Sequence, residues 1–225
     1  MNRQTLSCML FSSAMAVVIA APASAAAPTQ ARNDGLVQVS SRNLDEVYVR
    51  PDVNFQNYRK VMVDAGTVTM RKNWLRDINQ TRGPSRWLYP SDEKEITDRA
   101  ATNLSNVVAE SFRLRGYEVV TSPGPGVLRV TPRIVDLWVN APDVTSPYMQ
   151  ALFSIDAGVA TLRMEIRDAA NGALLGEVVD RSTARRLSPA PERTFSVTND
   201  FWFNVLFKQW TVNSIASLES GQRSD

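Results

Sequence analysis

The sequence predicts an α+β domain: a mainly antiparallel sheet of about four to six strands with two long helices, Asp92 to Leu114 and Asn199 to Leu218, packed against it. Three patterns carry that prediction. Ile96, Ala100, Leu104, Val107, Val108, Ser111 and Phe112 recur at helical spacing and make one apolar stripe. Ala160, Leu162, Met164 and Ile166 alternate with Thr161, Arg163, Glu165 and Arg167, the period of a strand with one face buried and one wet. The run "FWFNVLFKQW", Phe201 to Trp210, is dense enough in large apolar side chains to need burial along most of a helix.

Taken in chain order, "YRKVMVDAGTVTM" places Val61, Val63 and Val68 on a first strand that bends at Gly66. A long polar connection follows, carrying Trp74, Trp87 and Tyr89. Pro90 closes it, and Asp92 with Glu95 three residues on fits a capping box that starts the first long helix. Gly116 supplies its stop, since glycine tolerates the left-handed conformation that ends helices. "SPGPG" then looks at first like a phosphate loop. Pro123 and Pro125 have no N–H to offer an anion, however, and strand-like sequence follows where a phosphate site needs a helix, so the segment reads as a rigid turn.

The next strand holds an anomaly. Leu128, Val130, Pro132 and Ile134 share one face, and the same alternation puts Asp136 on that apolar face beside Trp138. Either the strand lies at an edge, because Pro132 cannot donate to a ladder, or a bulge resets the register and turns Asp136 outward. Asn171 and Gly172 in "DAANG" then reverse the chain, so that "ALLGEVVDRS" returns antiparallel to Ala160–Ile166. In the last helix Phe203, Leu206, Phe207 and Trp210 make one stripe, with Trp202 and Val205 widening it. Those surplus aromatics either sink between sheet and loops or form a contact patch with Tyr148, Met149, Leu152 and Phe153.

Met1 to Ala25 reads as a signal peptide. Arg3 precedes an apolar run that serines interrupt and that falls short of the roughly 20 residues needed to span a bilayer, and "APASA" ends with small residues at the cleavage positions. Cleavage is expected after Ala25, with 26–43 a flexible leader, 44–218 a single domain and 219–225 a tail. The expected location is the periplasm, with no transmembrane helix left after cleavage.

Composition limits the chemistry. The only cysteine, Cys8, sits early in the export signal, where it is badly placed for lipidation, and its loss on cleavage leaves no thiol for disulfides or metal sites. There is no histidine, which removes the commonest general base and metal ligand. With Lys+Arg 25 against Asp+Glu 23 the net charge is +2, too small a field to gather nucleic acid. No cofactor or metal site is expected.

"YRKVMVD", "RGYEVVTSPGPGVLRVTPRIVDL", "GVATLRMEIRDAANGALLGEVVDR" and "FKQW", in that order between Leu44 and Leu218, resemble the landmarks of the DUF3313 family of bacterial envelope lipoproteins. The resemblance implies an exported envelope protein with an α/β sandwich-like domain, and it brings no activity or catalytic residue. This chain departs from the pattern in lacking a well-placed lipidation cysteine, which favours the free periplasm.

The function expected is a non-catalytic binding or assembly module. It would act on an envelope protein or apolar ligand through an apolar groove bounded by the Pro142 to Phe153 loop, with Tyr148 and Phe153, and by Trp74, Trp87 and Tyr89, with Asp136 as a candidate contact. A glycan hydrolase using Asp136 with Asp64 or Glu165 is the alternative, and it requires the two carboxyls about 5 to 9.5 Å apart. A carrier of lipid-like ligands is the third reading, and it requires an enclosed apolar cavity.

Overall fold

The structure is a computed structural model that describes residues 34–140, 152–154, 156–185, 192–194 and 196–220, with the backbone alone for 152–154, 192–194 and 196–198. The elements are β1 (Val37–Val39), β2 (Glu46–Val49), β3 (Lys60–Val63), β4 (Thr67–Met70), α1 (Trp74–Gln80), α2 (Pro90–Leu114), β5 (Glu118–Val119), β6 (Val127–Val139), β7 (Leu152–Ser154), β8 (Asp156–Asp168), β9 (Leu174–Arg185), β10 (Glu192–Thr194) and α3 (Ser196–Ser220). Eight strands form one open sheet in the order β1-β2-β9-β8-β6-β3-β5, with β4 also paired to β6, while β7 and β10 pair separately.

The α+β class holds, but two details of the expectation are corrected. The sheet has eight strands, and it is mixed, because β3 and β4 pair with β6, and β5 with β3, in parallel. Parallel neighbours need a long crossover, and α2 supplies it between β4 and β5. Val37–Val39, inside the span expected as leader, forms β1, and the connection before α2 contains the short helix α1.

Central β6 carries the sheet. Leu128, Val130, Pro132 and Ile134 face the helices and are buried, as are Ala160, Leu162, Met164 and Ile166 across from them on β8. Pro132 sits in this interior strand without breaking its ladder. The Val130 carbonyl accepts from Asp64 N–H, so the backbone groups of residue 132 face the same neighbour, and there β3 has ended and β4 not yet begun. The missing donor thus falls opposite the expected bend. At that bend Gly66 donates its N–H to Ser105 Oγ at 2.7 Å, and a Cβ there would lie 2.9 Å from the Ala101 carbonyl oxygen, so α2 packs close because residue 66 has no side chain.

α2 starts at Pro90, earlier than expected. Asp92 is not the cap but the third helical residue, reaching back to accept from Tyr89 N–H at 2.7 Å. Its stripe of Ile96, Leu104, Val108 and Phe112 is buried on the sheet, each side chain contributing roughly 2 kcal/mol of burial. α3 runs parallel to α2, as Arg99 beside Asp200 and Arg115 beside Glu219 show. It buries Phe203, Leu206, Phe207, Trp210, Ile215 and Leu218. Both helices cover one face of the sheet, and no helix among the described residues lies on the other.

Two polar arrangements hold the fold's edges. Asp180, only 4% exposed on β9, accepts from Trp210 Nε1–H, Ser182 Oγ–H and Asp45 N–H, which locks α3 to the sheet. Asp168 accepts from Ala170 and Asn171 N–H to shape the β8–β9 turn, and from the Tyr58 hydroxyl at 2.8 Å. Burial, reinforced by the Asp168 bond and charge, pushes the Tyr58 phenol up to about 12. Burial alone would raise the Asp168 carboxyl, but the bonds from Tyr58, Ala170 and Asn171 outweigh it and hold the group below its usual value.

The signs fix a pH prediction. A raised phenol stabilises the fold fully below its ordinary value of 10.0, and that stability is lost as pH climbs toward about 12. The depressed Asp168 contributes above about pH 3.9, and that part is lost as pH falls through its lower folded value. Urea midpoints of the parent are therefore expected to drop between pH 10 and 12. Tyr58→Phe should flatten that drop, and an identical alkaline slope in both proteins would refute the assignment.

Candidate binding surface

One end of the domain holds Trp74, Trp87 and Tyr89, three of the aromatic residues singled out from sequence. α1 reaches the end of β6 through Trp74, whose Nε1–H donates to the Val139 carbonyl at 3.2 Å. Asn79 on α1 clamps the chain before α2 from both sides: its Nδ2 donates to the Leu88 carbonyl at 2.9 Å, and its Oδ1 accepts from Leu88 N–H at 2.8 Å. Clamped at its middle, the extended segment buries Leu88 and turns both neighbours out, leaving Trp87 49% and Tyr89 60% exposed. An amide side chain therefore sets the display of two aromatic rings.

α3 begins at the same end. Asn199 Nδ2 donates to the Asn140 carbonyl at 3.1 Å, just beyond β6. Phe201 is 57% exposed and stacks edge-on against Trp202 with centroids 5.0 Å apart, and Val205 and Val212 continue the exposed stripe. Beside them Asp200 lies between the helices with Oδ2 3.0 Å from Arg99 Nε. Burial pushes its carboxyl up, and the Arg99 charge partly pulls it back. Trp138 is half-buried at the end of β6, with the Arg71 guanidinium 5.7 Å from its ring centroid.

The residues named from sequence separate here. Trp74 is 1% exposed and hydrogen-bonded, so it is a core residue and borders no groove. Trp87 and Tyr89 are displayed together, and sequence reasoning missed Phe201 as the third exposed ring because its helical stripe reads as continuous core. Phe153 is placed by backbone only, opposite Arg193 in the β7–β10 pair. Tyr148, with the rest of the loop over 142–151 expected to bound the groove, lies outside the described residues.

Asp136 is exposed at φ 54°, in the bulge that shifts the β6–β8 register between Val135 and Trp138. The bulge anticipated from the alternation exists, four residues beyond Pro132, and it returns Leu137 and Val139 to the core. The carboxylate pair of the hydrolase reading does not assemble. Asp64 is held by Arg129 Nε at 2.9 and 3.0 Å and by the Thr131 hydroxyl, and Glu165 by Arg167. Thr131 and Glu165 share a register position, so Asp136 lies about 16 Å further along the strand from both carboxylates.

An eight-stranded mixed sheet with two parallel helices on one face defines an α+β fold, with Trp87, Tyr89 and Phe201 exposed. Residues 28–201 match the model of the family described as "Protein of unknown function (DUF3313)", and the chain belongs to that family. No curated protein matches it. Among solved structures, the PelC dodecamer from Paraburkholderia phytofirmans is 10% identical, with a TM-score of 0.38 over 82% of this chain and 96% of that one. Protein XCC0632 from Xanthomonas campestris is also 10% identical, with a TM-score of 0.39 over 74% of this chain and 87% of that one. Both are remote likenesses.

Proposed function

We propose that this protein is an exported cell-envelope module that binds or assembles without catalysis, docking a partner's apolar segment on the end that displays Trp87, Tyr89 and Phe201. The observation that supports this reading is the Asn79 clamp on Leu88, since it holds large rings in water where collapse onto the core would otherwise hide them. Aromatic anchors on a rigid support are the usual source of binding energy at interfaces, and little ordering entropy is lost when they engage. Export to the periplasm through cleavage of Met1–Ala25, with no lipid anchor, belongs to the same proposal.

A photoreactive residue placed at position 87 or 201 is expected to trap the same partner in cells, and one at Lys94 on α2 to trap none. The chain recovered should begin at Ala26. Trp87→Ala with Phe201→Ala is expected to weaken capture at least tenfold with an unchanged melting temperature, because both side chains are already solvated. Equal trapping from all three positions, or full capture by the double variant, would refute the docking surface. A retained lipid adduct in native mass spectrometry would replace the protein partner with a free apolar ligand.

A further inference from the structure

The helix-free face of the sheet carries its charges in rows that run across the strands. Arg129 stands opposite Arg167, Thr131 opposite Glu165, and Arg133 opposite Arg163 on β6 and β8; Glu165 stands opposite Glu177, and Thr161 opposite Arg181, on β8 and β9. Like charges directly opposite each other are unfavourable, so each row needs a counter-row. Most of that compensation is internal. Arg129 pairs with Asp64 at 2.9 Å, Arg167 with Glu165 at 2.9 Å, and Arg163 more loosely with Glu177 at 3.6 Å.

Two basic residues in adjacent rows are left over. Arg133 and Arg181 are exposed, and neither side chain has a carboxylate partner among the described residues. Arg133 stands beside Arg163 and Arg181 diagonally across from it, so the backbones of Arg133 and Arg181 lie two strands and two residues apart, about 12 Å, a span three long guanidinium side chains can bridge. Thr67, opposite Arg133, and Thr161, opposite Arg181, add hydroxyl donors.

We infer that Arg133, Arg163 and Arg181 form a binding site for the phosphate groups of an anionic phospholipid surface. Phosphate matches the chemistry, because guanidinium groups donate in forked pairs to its oxygens and keep their charge at every physiological pH. The site is open, which favours the lipid over a free ion. An exposed ion pair holds a single small anion weakly, whereas a surface presenting many phosphates engages several side chains at once. This contact uses the sheet face, apart from the aromatic end proposed to dock a partner, so either assignment can fail without the other.

The purified full chain is titrated with vesicles of phosphatidylglycerol in phosphatidylcholine and with pure phosphatidylcholine vesicles. Preference is read as the ratio of the two affinities, and because the Met1–Ala25 segment, whose Arg3 itself favours anionic lipid, is common to parent and variants, the difference between them isolates this contact. The ratio is expected to favour the anionic vesicles, to fall with added salt, and to drop about thirtyfold in the Arg133→Gln, Arg181→Gln variant. Arg133→Lys with Arg181→Lys should keep most of the preference, which guards against a folding defect in the glutamine variant. Lys94→Gln with Arg113→Gln removes the same charge from α2 and should change nothing. A ratio of one for the parent overturns the proposal, as does an equal loss in the α2 control. Binding of inorganic phosphate without preference for anionic vesicles also overturns it.

Discussion

Gly158→Ala is expected to lose about 4 kcal/mol of stability, read as a fall in the urea midpoint at unchanged slope. Gly158 pairs with Val139 just past the Asp136 bulge, at φ +147°, a conformation that residues with a Cβ avoid. Space forbids the substitution as well. An added Cβ would lie 1.9 Å from the Trp138 carbonyl oxygen and 3.0 Å from Phe203 Cζ, so the strand and α3 would both have to retreat. Gly172→Ala separates the two causes, because its φ is +75° with nothing within 4 Å of a new Cβ. It should cost about 1 to 2 kcal/mol, the conformational part alone. Equal losses for the two variants would show that the contact with Trp138 is not limiting.

Asp180→Ala is expected to cost about 3 kcal/mol, because it strands the buried Trp210 indole N–H and removes the acceptor of two partly buried donors. Trp210 is 2% exposed and its indole N–H has the Asp180 carboxylate as acceptor. Asp45 N–H and the Ser182 hydroxyl converge on the same group. Ser182→Ala should cost about 1 kcal/mol, since it removes one donor and leaves the acceptor satisfied by the others. Trp210→Phe should cost less in the Asp180→Ala background than in the parent, because the indole N–H has then already lost its acceptor. Additive losses in that cycle would mean the two residues act independently.

Local patterns were legible in the sequence where the determinants are local. Alternation from Ala160 to Ile166 and the Asn171-Gly172 reversal specify the β8–β9 hairpin, and the stripe from Ile96 to Phe112 specifies α2. The parallel pairing of β3 and β4 with β6 was not legible, because it joins residues more than 60 positions apart and leaves no turn to mark it. β1 escaped notice because Val37–Val39 is too short to show a period. Trp87 and Tyr89, singled out by residue type, are exposed in the structure, although sequence alone does not show that Leu88 between them turns inward. The burial of Trp74 was not legible either, since an aromatic in a polar stretch looks the same whether it faces solvent or donates to the Val139 carbonyl. The charge rows of the open face appear only once β6, β8 and β9 are in register, as each strand alone shows ordinary alternation.

α3 follows every strand of the main sheet in the chain and supplies Phe203 to Leu218 to cover β8 and β9. A nascent polypeptide growing from its amino end therefore has no roof over half of the sheet until residue 218 has emerged from the ribosome. Up to that moment the greasy side of the hairpin stays bare, which delays final closure of the fold.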